Sequence, residues 1–205
     1  MDEAGATTVE VHEELPAGLA AQVAEVEAGA WPGSSPGHDP ALRPRTVLLL
    51  DAGGRVASSL ALLYKPVRLA DGRTYRAAGL SAVVTRDGVR GRGYGSRLVA
   101  AARAVLAADP EVDLALFSCD RELVPFYRAA GFEVLSGTVL VGGTPAEPLA
   151  TDDPGLDKTV LGAFFGEGRT EGEGRTDGEG RADRVRAAFT GIRVPLYPGT
   201  VDRLW

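Results

Sequence analysis

Residues 86 to 97 read RDGVRGRGYGSR and set four arginines against one aspartate. They lie between an apolar segment of strand length, GLSAVVT at 79 to 85, and a run in which Leu98, Ala102, Val105 and Leu106 mark one face of a helix. Gly91, Gly93 and Gly95 remove side chains where the backbone must turn and approach a ligand, and the unbonded N–H groups of the following helix favour an anion. A local charge of +3 in a chain of net charge -6 points to phosphate. Two common phosphate loops do not fit: there is no Gly-Lys-Ser/Thr ending and no G-x-G-x-x-G spacing with an acidic ribose ligand downstream.

The elements that must hold this turn can be read from periodicity. Pro16 opens a helix over 16 to 30 with Leu19, Val23, Val26 and Ala30 at helical spacing, and Trp31-Pro32-Gly33 stops it. Val- and Leu-rich runs at 46 to 50 and 56 to 64 form a hairpin across Asp51 to Gly54, and Asp71-Gly72 turns the chain between 66 to 70 and 73 to 78. After the strand at 79 to 85 and a helix from about 95 to 108 come a buried strand at 112 to 118, a helix at 122 to 130 and a strand at 132 to 141. The order is α-β-β-β-β-α-β-α-β, a mixed sheet with helices on both sides. Beyond it, three hexads (GEGRTE, GEGRTD, GEGRAD) span 166 to 183. They have no large apolar residue to offset ordering, so a flexible loop is expected between a short helix through Val160, Leu161, Phe164 and Phe165 and another through Val185, Ala188 and Phe189.

Arg90 to Gly95 resembles the Arg/Gln-x-x-Gly-x-Gly/Ala signature of the GNAT superfamily of acetyl-CoA-dependent N-acetyltransferases, and it stands between the strand and helix where that family places it. Asp113 to Phe132, DLALFSCDRELVPFYRAAGF, is similar to the family's fifth strand and fourth helix with their Tyr-x-x-x-Gly-Phe/Trp ending. The resemblance covers roughly 15 to 142. It implies an α/β (α+β) GNAT fold: a central mixed, mostly antiparallel twisted sheet flanked by helices, with a C-terminal extension. The implied division is a core over 1–150 and an extension over 151–205 that contains the repeat loop and a returning tail.

The same resemblance implies that Arg90, Gly91, Arg92, Gly93, Tyr94, Gly95 and Ser96 hold the pyrophosphate of acetyl-CoA. Val83, Val84 and Thr85 would offer strand-edge groups to its pantetheine arm, as an added strand does, and a backbone N–H to the oxyanion. Tyr127 would protonate the departing thiolate; the alternative is that it packs the helix on the sheet beside Phe126. The strand at 79 to 85 has no carboxylate where many members carry a glutamate base. A water chain held by Ser81, or an acid from elsewhere, must then accept the amine's proton. Asp39, next to His38, lies in the loop that would border the acceptor, and Trp31 is core or groove wall. The ending Val201 to Trp205 resembles that of aminoglycoside 2'-N-acetyltransferases, which would set Asp202 and the Trp205 carboxylate against a cationic amine. Cys119 is expected to be a small buried residue, and Asp120 a helix cap.

The chain has 205 residues, 44% hydrophobic and 24% charged, which suits a globular domain and excludes a fully disordered or disulfide-stapled one. Its acidity argues against nucleic-acid and anionic-membrane partners. The first 42 residues hold eight acids and no Lys or Arg, and would add a negative field at the acceptor side. Twenty arginines against two lysines suit a GC-rich bacterial source. With no signal-like start and no apolar run near a span's length, a cytoplasmic location is expected. The expected activity is direct acetyl transfer to a primary amine of a small cationic, aminoglycoside-like acceptor, with no metal; a homodimer is compatible. The alternatives are acetylation of a protein N-terminus or lysine, and a non-catalytic acyl-CoA sensor.

Overall fold

The computed structural model describes residues 7–33, 37–165 and 178–197. In chain order the elements are β1 (Thr8–His12), α1 (Ala17–Ala30), β2 (Arg45–Leu50), β3 (Val56–Arg68), β4 (Thr74–Thr85), α2 (Tyr94–Ala108), β5 (Leu114–Asp120), α3 (Val124–Ala129), β6 (Glu133–Val134), β7 (Val139–Gly143), β8 (Pro148–Ala150), β9 (Lys158–Phe164), α4 (Gly178–Ala188) and β10 (Arg193–Pro195). Seven strands form a sheet in the order β1-β2-β3-β4-β5-β9-β6, and three more a small sheet β10-β7-β8. The large sheet is antiparallel except where β4 meets β5. Among the described residues no helix is long and apolar enough to cross a membrane.

Register assigns the two faces. Leu48 lies opposite Ser59 and Ser59 opposite Val84, so these three share a face. Leu48 clusters with Leu50, Val56 and Val23 of α1, and Leu15 and Leu19 pack against them. Val47 lies opposite Leu60 on the other face, which α2 covers with Leu98, Val99, Ala102 and Leu106. The α1 helix starts without a side-chain cap; the Pro16 carbonyl accepts from the Leu19 and Ala20 N–H groups instead.

The arrangement that shapes the molecule is the brief meeting of β4 and β5. They pair only at Ala77 with Leu114 and Ala78 with Ala115, although β4 runs on to Thr85 and β5 to Asp120. Beyond that point β4 is bent by a bulge, because pairing jumps from Ser59–Val84 to Ala61–Ser81 and leaves Leu60 facing two residues. Ala82 at the bulge has φ 50°, a left-handed conformation that costs a non-glycine residue about 1 kcal/mol or more. At the vertex, Asp113 is 5% exposed and accepts from the Arg76 backbone N–H at 2.8 Å, while the Arg76 guanidinium reaches Asp113, Glu111 and the Pro110 carbonyl.

Several elements differ from the sequence expectation. The segment expected as a helix through Val160, Leu161, Phe164 and Phe165 is strand β9, inserted between β5 and β6. With both faces covered, a strand becomes a continuous apolar run that periodicity alone cannot tell from a helix. Gly162 permits the fit, since a Cβ there would stand 3.0 Å from Leu135 Cδ1 and 3.2 Å from the Ala115 carbonyl. The main sheet therefore draws a strand from beyond residue 150. The strand expected at 132 to 141 is two, β6 and β7, in different sheets, broken where Gly137 takes φ 73°. The pieces 56 to 64 with 66 to 70, and 73 to 78 with 79 to 85, are single long strands, and β1 has no counterpart in the expectation. The last hexad, Gly178 to Asp183, forms the start of α4 instead of loop; α4 is anchored by buried Val185 and, just past its end, Phe189. The first two hexads lie outside the described residues.

Candidate active site

The arginine- and glycine-rich turn closes the open end of the β4–β5 fork. Gly91 has φ 80° and Gly93 φ 76°, so the turn needs glycine there for its backbone, and a Cβ at either would meet nothing within 4 Å. Gly93 is the residue before α2, whose first-turn N–H groups are left for a ligand. Gly95 matters for space: a Cβ there would lie 3.1 Å from Thr85 Oγ1 and 3.5 Å from the Phe126 ring. Thr85 Oγ1 is itself held by Ser58 Oγ of β3 at 2.9 Å, which fixes the end of β4 where α2 and the Phe126 ring close in on Gly95.

Two of the four arginines brace the turn from within. Arg86 Nε donates to the Val56 carbonyl at 2.8 Å and its Nη1 to Glu25 on α1 at 2.8 Å. Arg90 Nε donates to the Thr85 carbonyl at 3.2 Å, and its Nη2 lies 3.1 Å from Asp87. Among the described residues no ion pair engages Arg92 or Arg97, so the charge available to an anion rests on these two and on the helix amides.

Where β4 has parted from β5, a cleft of about 650 Å³ lies between the end of β4, the start of α2 and α3. One wall is Val83, Val84 and Thr85 of β4; the mouth is Arg90, Gly91, Gly93, Tyr94, Gly95 and Ser96; the far side is Leu123, Phe126 and Tyr127; Ala30 and Trp31 at the end of α1 close it. Tyr127 is 6% exposed, edge-on to Phe117 and Phe126 with ring centroids at 5.0 Å, and still lines the cleft. Burial, then the neighbouring Cys119 and Asp120, raise its pKa, which keeps the phenol protonated. Cys119 is buried, and burial, with Asp120, pushes its thiol up to about 11 against the pull of Lys158. A thiol so poorly ionised near neutrality is a weak nucleophile. A phosphate-seeking mouth, a strand edge along one wall and a phenol at the far end suit an extended ligand with an anionic middle and a reactive tip.

The family described as Acetyltransferase (GNAT) domain matches residues 20–135, more than half of the chain. The chain belongs to the GNAT acetyltransferases. Its fold is that of solved members. Escherichia coli YhbS, a GNAT family N-acetyltransferase crystallised in complex with CoA, aligns with TM-score 0.55 at 16% identity over 96% of this chain and 93% of that one. Escherichia coli ElaA aligns with TM-score 0.51 at 11% identity, over 77% and 99%. An acyl-CoA N-acyltransferase from Pseudomonas aeruginosa aligns with TM-score 0.50 at 16% identity, over 77% and 97%. No curated protein matches by sequence.

Of the site residues expected in this GNAT chain, the cleft gathers Tyr127, Trp31, all three of Val83 to Thr85, and the turn residues other than Arg92. Ser81 is not among the lining residues; it stands across from Ala61 on the α1 face. Asp39 serves the backbone: its Oδ1 accepts from the Ala41 N–H at 2.9 Å and starts a short 3-10 turn over Pro40–Leu42. Asp202 and Trp205 lie outside the described residues. Asp120 does not cap by its side chain as expected; it pairs with Lys158 Nζ at 2.7 Å, a residue that only β9 brings there. Part of the field expected from the acid-only stretch is spent internally, since Glu13 pairs with Arg45, Glu25 with Arg86 and Glu10 faces His12. Sequence reasoning missed Ala30, Leu123 and Phe126 as cleft walls; Phe126, adjoining Tyr127, carried a signal in the aromatic pair, whereas Ala30 and Leu123 carried none.

Proposed function

We propose that the chain transfers an acetyl group from acetyl-CoA directly to a primary amine of a small cationic acceptor. The observation that carries this reading is the fork between β4 and β5, with the anion-seeking turn at its mouth and the Tyr127 phenol on its far wall. Acetyl-CoA fits that cleft by chemistry: Gly91 and Gly93 leave the turn open where phosphate oxygens would meet the α2 amides, and β4 offers backbone to an amide-rich arm. When bound, it would supply an activated thioester carbonyl.

The chain's own residues have four tasks. The turn from Arg90 to Ser96 holds the anionic part, with Arg92 and Arg97 adding charge. The Val83 to Thr85 edge orients the arm and, through an N–H, meets the negative charge that develops on the carbonyl oxygen. Tyr127, kept protonated by its surroundings, gives its proton to the sulfur as the thiol leaves. Trp31, half over the cleft at 38% exposed, borders the side from which an amine arrives.

The test is purified protein with acetyl-CoA and a panel of spermidine, an aminoglycoside, and short peptides offering a free N-terminus or lysine, read by thiol release. Turnover of the small polyamines or aminosugars is expected. Preference for the peptides would move the acceptor to proteins, and binding of acetyl-CoA without release of thiol to any amine would leave a sensor.

A further inference from the structure

Strand β4, TYRAAGLSAVVT, carries no carboxylate, so the reading above leaves the acceptor ammonium without a proton acceptor on the strand that walls the cleft. A neutral nitrogen is required before it can attack a carbonyl carbon. The residue that meets the need stands on α1.

Glu27 is one helical turn, about 5.4 Å along the axis, before Trp31, whose N–H bonds the Glu27 carbonyl at 2.8 Å. Ala30 and Trp31 line the cleft, and residues three and four apart share a helix side. The opposite flank of α1 is already committed: Gln22 Oε1 accepts from the Val56 N–H at 3.0 Å, and Glu25 holds Arg86. At about 100° per residue, Glu27 lies roughly 160° around the helix from Glu25. Val56 and Arg86 mark the edge of the sheet where β3 begins and β4 has ended, so the Glu27 flank is turned away from that edge, on the side of α1 that carries the cleft-lining Ala30 and Trp31.

Two further observations mark that place as built for polar traffic. Ser59 is 1% exposed, shares the face of Val84, and its Oγ has no hydrogen-bond partner. Glu27 is only partly exposed and, alone among the acids of α1, has no ion pair among the described residues. Burial raises its pKa, and no charged neighbour contributes. The charged groups of the packed elements lie on other sides: the Asp87 carboxylate, in the turn after β4, stands 3.8 Å from where a Cβ of Gly29 would be, on the Glu25 flank of α1. On β3, Tyr64, Lys65 and Arg68 are about 17 Å or more along the strand from Ser59. On β4, Tyr75 and Arg76 are near its start, and Arg86 beyond its end faces Glu25.

We propose that Glu27 is the general base of this GNAT chain, with Ser59 and Ser81 carrying the water path between its carboxylate and the acceptor. The proposal rests on the acetyltransferase reading above. In the step, an N–H bond of the ammonium breaks, its electron pair stays on nitrogen, and the proton passes through water to a Glu27 oxygen and then to solvent. The neutral amine that remains is the nucleophile.

The experiment is the pH profile of kcat/KM, for spermidine or the panel amine turned over fastest, in wild type, Glu27→Gln and Glu27→Asp. Melting temperature and CoA affinity by calorimetry are measured alongside. Wild type should lose activity as pH falls through the raised Glu27 pKa. Glu27→Gln should lower kcat/KM about a hundredfold at neutral pH and replace that limb by one set by the amine itself. Glu27→Asp should restore part of the rate, and CoA affinity should stay within twofold. Because burial penalises the charged carboxylate, glutamine should leave the melting temperature equal or higher. An unchanged acid limb with kcat/KM within twofold overturns the proposal, as does loss of rate accompanied by lost CoA affinity or a lowered melting temperature. If wild type binds acetyl-CoA and acetylates no amine, the acetyltransferase reading falls first, and this one with it.

Discussion

At the scale of single residues, Tyr127 packs the core and, in the proposed reaction, also supplies a proton. Its ring fills an aromatic cluster with Phe117, Phe126 and Phe132, which phenylalanine would fill as well, while only its hydroxyl offers a proton to the cleft. Tyr127→Phe should therefore leave CoA affinity within twofold and lower kcat about ten- to a hundredfold. Identical steady-state kinetics would remove the phenol from the mechanism. The sign of the pKa shift adds a check: an acid whose pKa is raised stays protonated as pH rises, so wild type should show no alkaline limb from this group below about pH 10. Cys119, buried near the end of β5, is not among the residues that line the cleft, and burial and Asp120 both oppose its thiolate.

At the scale of elements, the bulge in β4 separates the part that pairs with both β3 and β5 from the part that pairs with β3 alone and walls the cleft. Ala82 holds φ 50° where glycine would be at ease. Ala82→Gly should thus keep or raise stability by up to about 1 kcal/mol, whereas Ala82→Val, β-branched in the left-handed region, should lose more than that. Urea unfolding midpoints measure both. A valine variant as stable as wild type would mean that the bulge relaxes without effort and is not a fixed part of the fold. The braced turn acts at the same scale: Arg86 ties it to α1 and Arg90 ties it to the end of β4, so half its positive charge maintains shape.

For the molecule as a whole, the fork opens from a vertex pinned by one buried carboxylate. Asp113→Ala would strip the Arg76 backbone N–H and guanidinium of an acceptor that is 5% exposed, at a cost of about 2 to 3 kcal/mol. Because the vertex sets how β4 and β5 diverge, CoA affinity should fall together with the melting temperature, by about tenfold or more. A lower melting temperature with unchanged affinity would show that the rest of the sheet fixes the fork without it. The small sheet and α4 join the same core through Phe189, whose ring meets Tyr75 of β4 edge-on at 5.1 Å.

Local sequence determined what depends on local rules. The glycines and arginines of 86 to 97, the helical spacing on either side and the Tyr127 to Phe132 ending marked the turn, its helix and the family, because φ preference, helix amides and periodicity act within a few residues. Only the tertiary structure decided that β9 enters the sheet between β5 and β6, since a strand covered on both faces loses its alternation. It also decided which charges were already spent. Arg86, Arg90, Glu13 and Glu25 find partners tens of residues away or across a turn, and no one-dimensional tally of charge can subtract those pairs. Glu27 shows the limit most plainly: in the sequence it is one acid among eight, and its difference from Glu25 two residues earlier arises only when α1 lies down on the sheet, which pairs Glu25 with Arg86 and leaves Glu27 partly buried.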